Sequence, residues 1–386
     1  MSQQQELSKM NSAFEKSVLE FSLPLYQALD KEGNVFMSPY SVSAALMLLL
    51  LGTDGDTKTE LESALNLQGQ TGSSAHEGYN SLHNKLCSKS GNGVLVAIAN
   101  RLFSKLGVDL KTNFTDAAKK YYGSEVQLMD FENKAEEARI QINSWIEKQT
   151  RDKIKDLLSP NLLTKDTLMV LTNAIYFKGD WELKFDEKST SRQSFHVDDE
   201  NVIEVDMMFG KKKVMSNEFD EMDCKCLQLP YKGDTLSMLI ILPNKKMGLE
   251  VLESNLTVST LQKAIDSTYK QDTNISIPKF KIEATFDLTK VLPKLGITKI
   301  FDTSADFSGI YQDGGKDVYV SDAIHKAFVE VNEEGTEAAA ATALVMTRMM
   351  MPLPPFEFRA DHPFLFFIRE NESGTILFMG RYSKPT

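Results

Sequence analysis

The chain has 386 residues, 42% of them apolar and 25% charged, an ordinary composition for a globular protein able to bury a core. This length exceeds the usual domain size, so it allows either two domains or one unusually large core. A formal net charge of -11 disfavours a nucleic-acid or anionic-membrane role, which needs a clustered excess of Lys and Arg.

The N-terminus is polar, and Leu7, Met10, Phe14, Val18 and Phe21 recur at helical spacing, which predicts an amphipathic helix over about 8–29 and shows no secretion signal. A second, buried helix is expected from Ser38 to Leu51, with Ser38 ahead of Pro39 as its start. A third is expected to open at Thr57 with Glu60 completing a capping box. The apolar run Ala44 to Leu51 falls far short of the roughly 20 residues a membrane span requires. A cytoplasmic location is therefore expected, with secretion lacking a signal peptide left open. Four Asn-x-Ser/Thr triplets, at Asn113, Asn255, Asn274 and Asn371, would matter only on a secretory route.

Helices dominate the reading to about residue 160, and strands follow: Thr167–Phe177, Leu236–Leu242, Ile275–Leu288, Val318–Val331, Phe364–Ile368 and Thr375–Gly380. Helices early and strands late predict an α+β fold. No Pro-, Gly- or Ser-rich linker divides the chain. The basic run Lys211-Lys212-Lys213 reads as a solvated strand end or turn. Cys87, Cys224 and Cys226 form no disulfide framework, and Cys224 and Cys226 would share one strand face without a zinc-ligand set, so free thiols are expected.

Nothing in the sequence carries enzyme chemistry. The five histidines, His76, His83, His196, His325 and His362, form no spaced catalytic or metal constellation, and there is no GxSxG elbow, phosphate loop or HExxH. No cofactor or metal is expected.

The segment from Asn332 to Ala360 stands apart because it has no hydrophobic period. As a strand, its even-numbered residues Thr336, Ala338, Ala340, Thr342, Leu344 and Met346 would face one side, all small or apolar. Such a strand could join a packed sheet without overpacking it or burying a charge before Arg348. Gly335 supplies the bend. An alanine-rich helix is the competing resting conformation.

These residues resemble a known family. The stretch Glu333, Glu334, Gly335, Thr336, Glu337, Ala338, Ala339, Ala340, Ala341, Thr342 is similar to the hinge of inhibitory serpins, and Phe358 to Ile368 matches the family signature. Asn34–Ser41, Thr172–Trp181 and Phe378–Arg381 extend the resemblance over nearly the whole chain. It implies a single domain over 1–386 with three β-sheets, eight or nine helices and an exposed reactive-centre loop at about 333–360. The missing signal and short C-terminus resemble the ovalbumin-like, intracellular branch.

The resemblance implies a suicide-substrate inhibitor of serine proteases: the loop is cleaved, the acyl-enzyme is trapped, and the loop enters the large sheet. Ser38, Ser41, Asn173 and His325 would sit at the shutter where that sheet parts, and Trp181 near the breach where insertion begins. Counting from Glu333 places the scissile bond at Met349–Met350, which suits chymotrypsin-like or elastase-like enzymes. Arg348–Met349 is the alternative and would suit a trypsin-like one. A monomer is expected. Clustered Met346, Met349, Met350 and Met351 would make inhibition sensitive to oxidation, which unchanged inhibition rates after mild peroxide treatment would refute. A non-inhibitory serpin, acting as chaperone, carrier or storage protein, is the alternative reading.

Overall fold

The computed structural model describes residues 3–67, 73–89, 93–315, 317–334 and 354–385. Strands, numbered along the chain, fall into two hydrogen-bonded ladders. The smaller has the spatial order β10 (Phe280–Asp287), β11 (Val320–Val331), β4 (Met169–Gly179), β2 (Val94–Lys105) and β3 (Gln127–Met129). The larger runs β1 (Val35–Met37), β14 (Ile376–Tyr382), β13 (Phe364–Glu370), β8 (Leu236–Pro243), β7 (Cys224–Pro230), β6 (Val202–Phe219), β9 (Tyr269–Pro278) and β12 (Phe356–Arg359), with β5 (Ser191–His196) added beside β6.

The three expected sheets are present because β6 serves two of them. Its first part pairs with β5, its middle with β9, and only its last residues, Met215–Phe219, with β7. The group β5, β6, β9, β12 is thus joined through one long strand to the group β7, β8, β13, β14, β1. Nine α-helices occur among the described residues, giving an α+β fold.

The helix Pro39–Leu50 lies at the centre, and all twelve of its residues are buried. It is apolar on every side, as a fully enclosed helix must be. Ser38 caps it by accepting from Ser41 N, and Pro39 occupies the first turn where no N–H is needed. The main core surrounds this helix. A second core, including Phe103, Ile142, Ile146, Tyr176 and Phe328, packs the helix Phe131–Gln149 onto the other face of the smaller sheet. Its central strands β4 and β11 are therefore covered on both faces.

Several expectations need correction. The third helix starts at Gly55 under Asp54 as cap, and Glu60 forms no capping box. Its carboxylate instead accepts from Thr298 N and Lys299 N, a tertiary use that local spacing cannot reveal. Val94–Lys105, inside the stretch read as helical, is a strand because β4 pairs with it along almost its whole length. Lys211–Lys213 lies within β6, between β9 partners, rather than at a strand end. The predicted strand Ile275–Leu288 breaks at Pro278–Lys279 into β9 and β10, which join different sheets. At the far end of the 333–360 span, Phe356–Arg359 is strand β12, running parallel to β9. Cys224 and Cys226 are both buried and free on β7, while the Cys87 side chain lies outside the described residues.

Candidate functional site

One pairing in the smaller sheet is exceptional for its position. β11 runs parallel to β4, in register from Val320↔Met169 to Val329↔Phe177, whereas β10 on one flank and β2 on the other pair antiparallel. Parallel ladders are slightly weaker per residue, so this seam is the softer line through the sheet.

A buried polar network crosses it. Asn100 on β2, Asn173 on β4 and His325 on β11 are successive register partners. Ser38 N donates to His325 Nε2 at 3.1 Å, so that nitrogen is an acceptor and the ring proton sits on Nδ1. Nδ1 then donates to Asn173 Oδ1. The Asn173 amide donates to Ser41 O at 2.8 Å and Ser41 Oγ at 2.7 Å. Ser38 Oγ donates to Leu377 O on β14 at 2.6 Å, which ties the network to the second sheet. Burial holds the His325 pKa down to about 3, against the opposing bond from Asn173. The ring is neutral, and each of its nitrogens is matched.

A second cluster holds the end of β11. Trp181, stacked on Tyr231 with centroids 4.6 Å apart, donates from Nε1 to Asn332 O at 2.9 Å. Glu333 is 6% exposed; its carboxylate accepts from Thr190 Oγ1 at 2.6 Å and pairs with Lys279 Nζ at 2.8 Å. Burial alone would raise its pKa, but the Lys279 and Thr190 bonds more than offset this and lower it. Glu334 is exposed and pairs with Lys178 at 3.1 Å. On the far side of the undescribed segment, Lys225 Nζ donates to Glu357 O at 3.1 Å on β12.

Of the residues singled out from the sequence, Ser38, Ser41, Asn173 and His325 lie together in the first network, and Trp181, Glu333 and Glu334 in the second. Gly335, Thr336, Glu337, Ala338, Ala339, Ala340, Ala341, Thr342, Arg348, Met349 and Met350 lie outside the described residues. Sequence reasoning missed Asn100, Thr190, Lys178 and Lys279. Asn100 had a signal: it is a polar residue within the apolar run Val94–Phe103, which a strand reading would have exposed. The others had none. Among the described residues, no group of three or more His, Cys, Asp or Glu could hold a metal, and no helix is long and apolar enough to cross a membrane.

A family profile described as Serpin (serine protease inhibitor) matches residues 16–385. The chain is 40% identical over 376 residues to a leukocyte elastase inhibitor of Equus caballus, covering 95% of this chain and 97% of that protein. Uncleaved ovalbumin superposes with a TM-score of 0.87 at 29% identity, covering 97% of this chain and 100% of the other. A structure described as a highly specific serpin of the insect Tenebrio molitor gives 0.83 at 34%, covering 97% and 98%. The chain belongs to the serpin family, on its ovalbumin-like branch, and is a protease inhibitor rather than an enzyme.

Proposed function

We propose that this chain traps serine proteases of the chymotrypsin and elastase type, with Met349–Met350 as the bond attacked. The protease serine adds to the Met349 carbonyl, the peptide bond to Met350 breaks, and the new amine leaves, so that Met349 stays esterified to the enzyme. Residues from Gly335 onward then enter between β4 and β11.

The observation that carries this reading is the parallel β4–β11 pair, with the chain leaving β11 after Val331 and leading through Glu334 to Gly335. A segment that turns back at Gly335 runs antiparallel to β11, and therefore antiparallel to β4 as well. Insertion replaces one parallel pairing with two antiparallel ones. On the order of 15 new ladder bonds at roughly 1 kcal/mol each is comparable with the ~5–15 kcal/mol that stabilises a typical fold. In this reading Ser38, Ser41, Asn173 and His325 form the shutter that must part. Trp181, Thr190 and Lys279 hold the hinge at Glu333 in the breach.

Elastase-type targets are supported by the names of the relatives and by the apolar Met349. A one-residue shift to Arg348–Met349 would admit trypsin-like enzymes, changing the inserted length by about 3.3 Å. We further read 1–386 as one domain, acting as a cytoplasmic monomer. Incubation with neutrophil elastase, chymotrypsin and trypsin, followed by denaturing electrophoresis and mass spectrometry, tests these points. A covalent complex and a new C-terminus at Met349 are expected. Cleavage without any stable complex would replace this proposal with a non-inhibitory role.

A further inference from the structure

The basic run Lys211-Lys212-Lys213 on β6 belongs neither to the network at the β4–β11 seam nor to the cluster at Glu333, yet its middle member is placed unlike its neighbours. Side chains alternate along a strand, and Lys211 and Lys213 are exposed while Lys212 is half-buried. Lys212 Nζ donates to Leu183 O at 2.6 Å and to Lys184 O, and it stands 4.3 Å from the centroid of the Phe185 ring. A cation over an aromatic face is attracted by the ring quadrupole. Burial lowers the Lys212 pKa to about 8, so the ammonium is still the main form at neutral pH. Gly210 leaves the room for this contact: a Cβ there would lie 3.1 Å from Lys212 Cε and 3.2 Å from Phe185 Cδ1.

Leu183, Lys184 and Phe185 belong to the connection from β4 to β5, and both ends of that connection hold the hinge. Trp181 donates to Asn332 O, and Thr190 to the Glu333 carboxylate. The first end is fixed by a bridge from Trp181 to Tyr231 and by Glu182 N, which donates to Pro230 O at 2.9 Å. The other end is fixed by the turn Glu187–Ser189 under its Asp186 cap. Between them, among the described residues, no backbone N–H donates to Leu183 O or Lys184 O, so the hold there comes from Lys212. Phe185 is buried and carries that hold onward, its ring edge-on to Trp181 with centroids 6.4 Å apart. A continuous path of contacts thus runs from Lys212 through Phe185 and Trp181 to Asn332.

We propose that Lys212 is a positioning residue for loop insertion: its ammonium fixes the segment 182–190, so that Trp181 and Thr190 keep Asn332 and Glu333 still as the pivot for the residues beyond. This assignment rests on insertion of the cleaved loop between β4 and β11. The protease ester is lost to water unless insertion is faster. A pivot that shifts slows insertion, and more inhibitor is then cleaved as plain substrate for each protease trapped.

The test is the stoichiometry of inhibition, the inhibitor consumed per protease trapped, measured with chymotrypsin or neutrophil elastase, whichever forms the covalent complex with the wild-type chain. Lys212→Met should raise it by about two- to fivefold, the change that loss of one exposed cation–π contact corresponds to, while the rate of loop cleavage stays the same. Lys212→Arg, which keeps the charge and can donate to both carbonyls, should restore the wild-type value. In a Trp145→Phe background Trp181 is the sole tryptophan, and its acrylamide quenching should increase in Lys212→Met but not in Lys212→Arg. Lys212→Gln serves if the methionine variant misfolds. An unchanged stoichiometry in the neutral variants, an equal rise in Lys212→Arg, or a rise without any change at Trp181 would overturn the assignment alone. A wild-type chain that traps neither these proteases nor trypsin would overturn the insertion reading and this assignment with it.

Discussion

Replacing Asn173 with alanine probes how the seam between β4 and β11 is held. Asn173 Oδ1 is the acceptor for the His325 Nδ1 proton, and its amide serves Ser41. After the substitution the buried His325 N–H has no acceptor. Ser41 still has Asn100, whose Nδ2 lies 3.3 Å from Ser41 O and whose Oδ1 accepts from Ser41 Oγ at 3.2 Å. One orphaned buried donor costs about 1–3 kcal/mol, and lost packing of a fully buried side chain adds roughly 1 kcal/mol. Asn173→Ala should therefore cost about 2–4 kcal/mol. Asn100→Ala leaves His325 matched and Ser41 served by Asn173, so it should cost about 1 kcal/mol. Urea unfolding monitored by tryptophan fluorescence measures both. A cost below about 0.5 kcal/mol for Asn173→Ala, or one no larger than that of Asn100→Ala, would refute the reasoning.

Acid should loosen the same seam. An unfolded histidine titrates near 6.5 but folded His325 only near 3, so between those values the unfolded chain binds more protons. This contribution is fully present above pH 6.5 and is lost as pH falls towards 3, by up to about 1.4 kcal/mol per unit. His325→Gln should flatten the dependence of urea midpoints on pH, although His76, lowered to about 4, still contributes; an unchanged slope would count against it. Lys279→Met leaves Glu333 nearly enclosed with only Thr190, and because Lys279 is itself 38% exposed the cost should be about 1–2 kcal/mol, read as a lower melting temperature. Ala340→Arg places a charge on the small-residue side of the inserting segment, so cleavage should continue while the covalent complex fraction on denaturing gels falls; an undiminished complex would contradict the alternation argument.

Much of the site was legible because its signals are local. Ser38 beside Pro39 announces a helix start, since a capping side chain reaches only three residues ahead. The shared face of Cys224 and Cys226 follows from strand geometry alone. These features, with the family resemblance, were enough to identify the family and its inhibitory function.

The tertiary structure decided which distant groups meet. His325 and Asn173 are 152 residues apart and bond only because β11 and β4 lie in that register. Glu60 meets Thr298 across 238 residues, and Glu333 finds Lys279 and Thr190 in segments with no sequence signal pointing to them. Asn100 entered the network because β2 pairs with β4. Arg369 reads as one charge in an apolar strand; only folding shows it 9% exposed, with its Nε unbonded. Caps and strand faces follow from the few residues on either side, whereas sheet register and the partners of buried charges depend on how the whole chain packs.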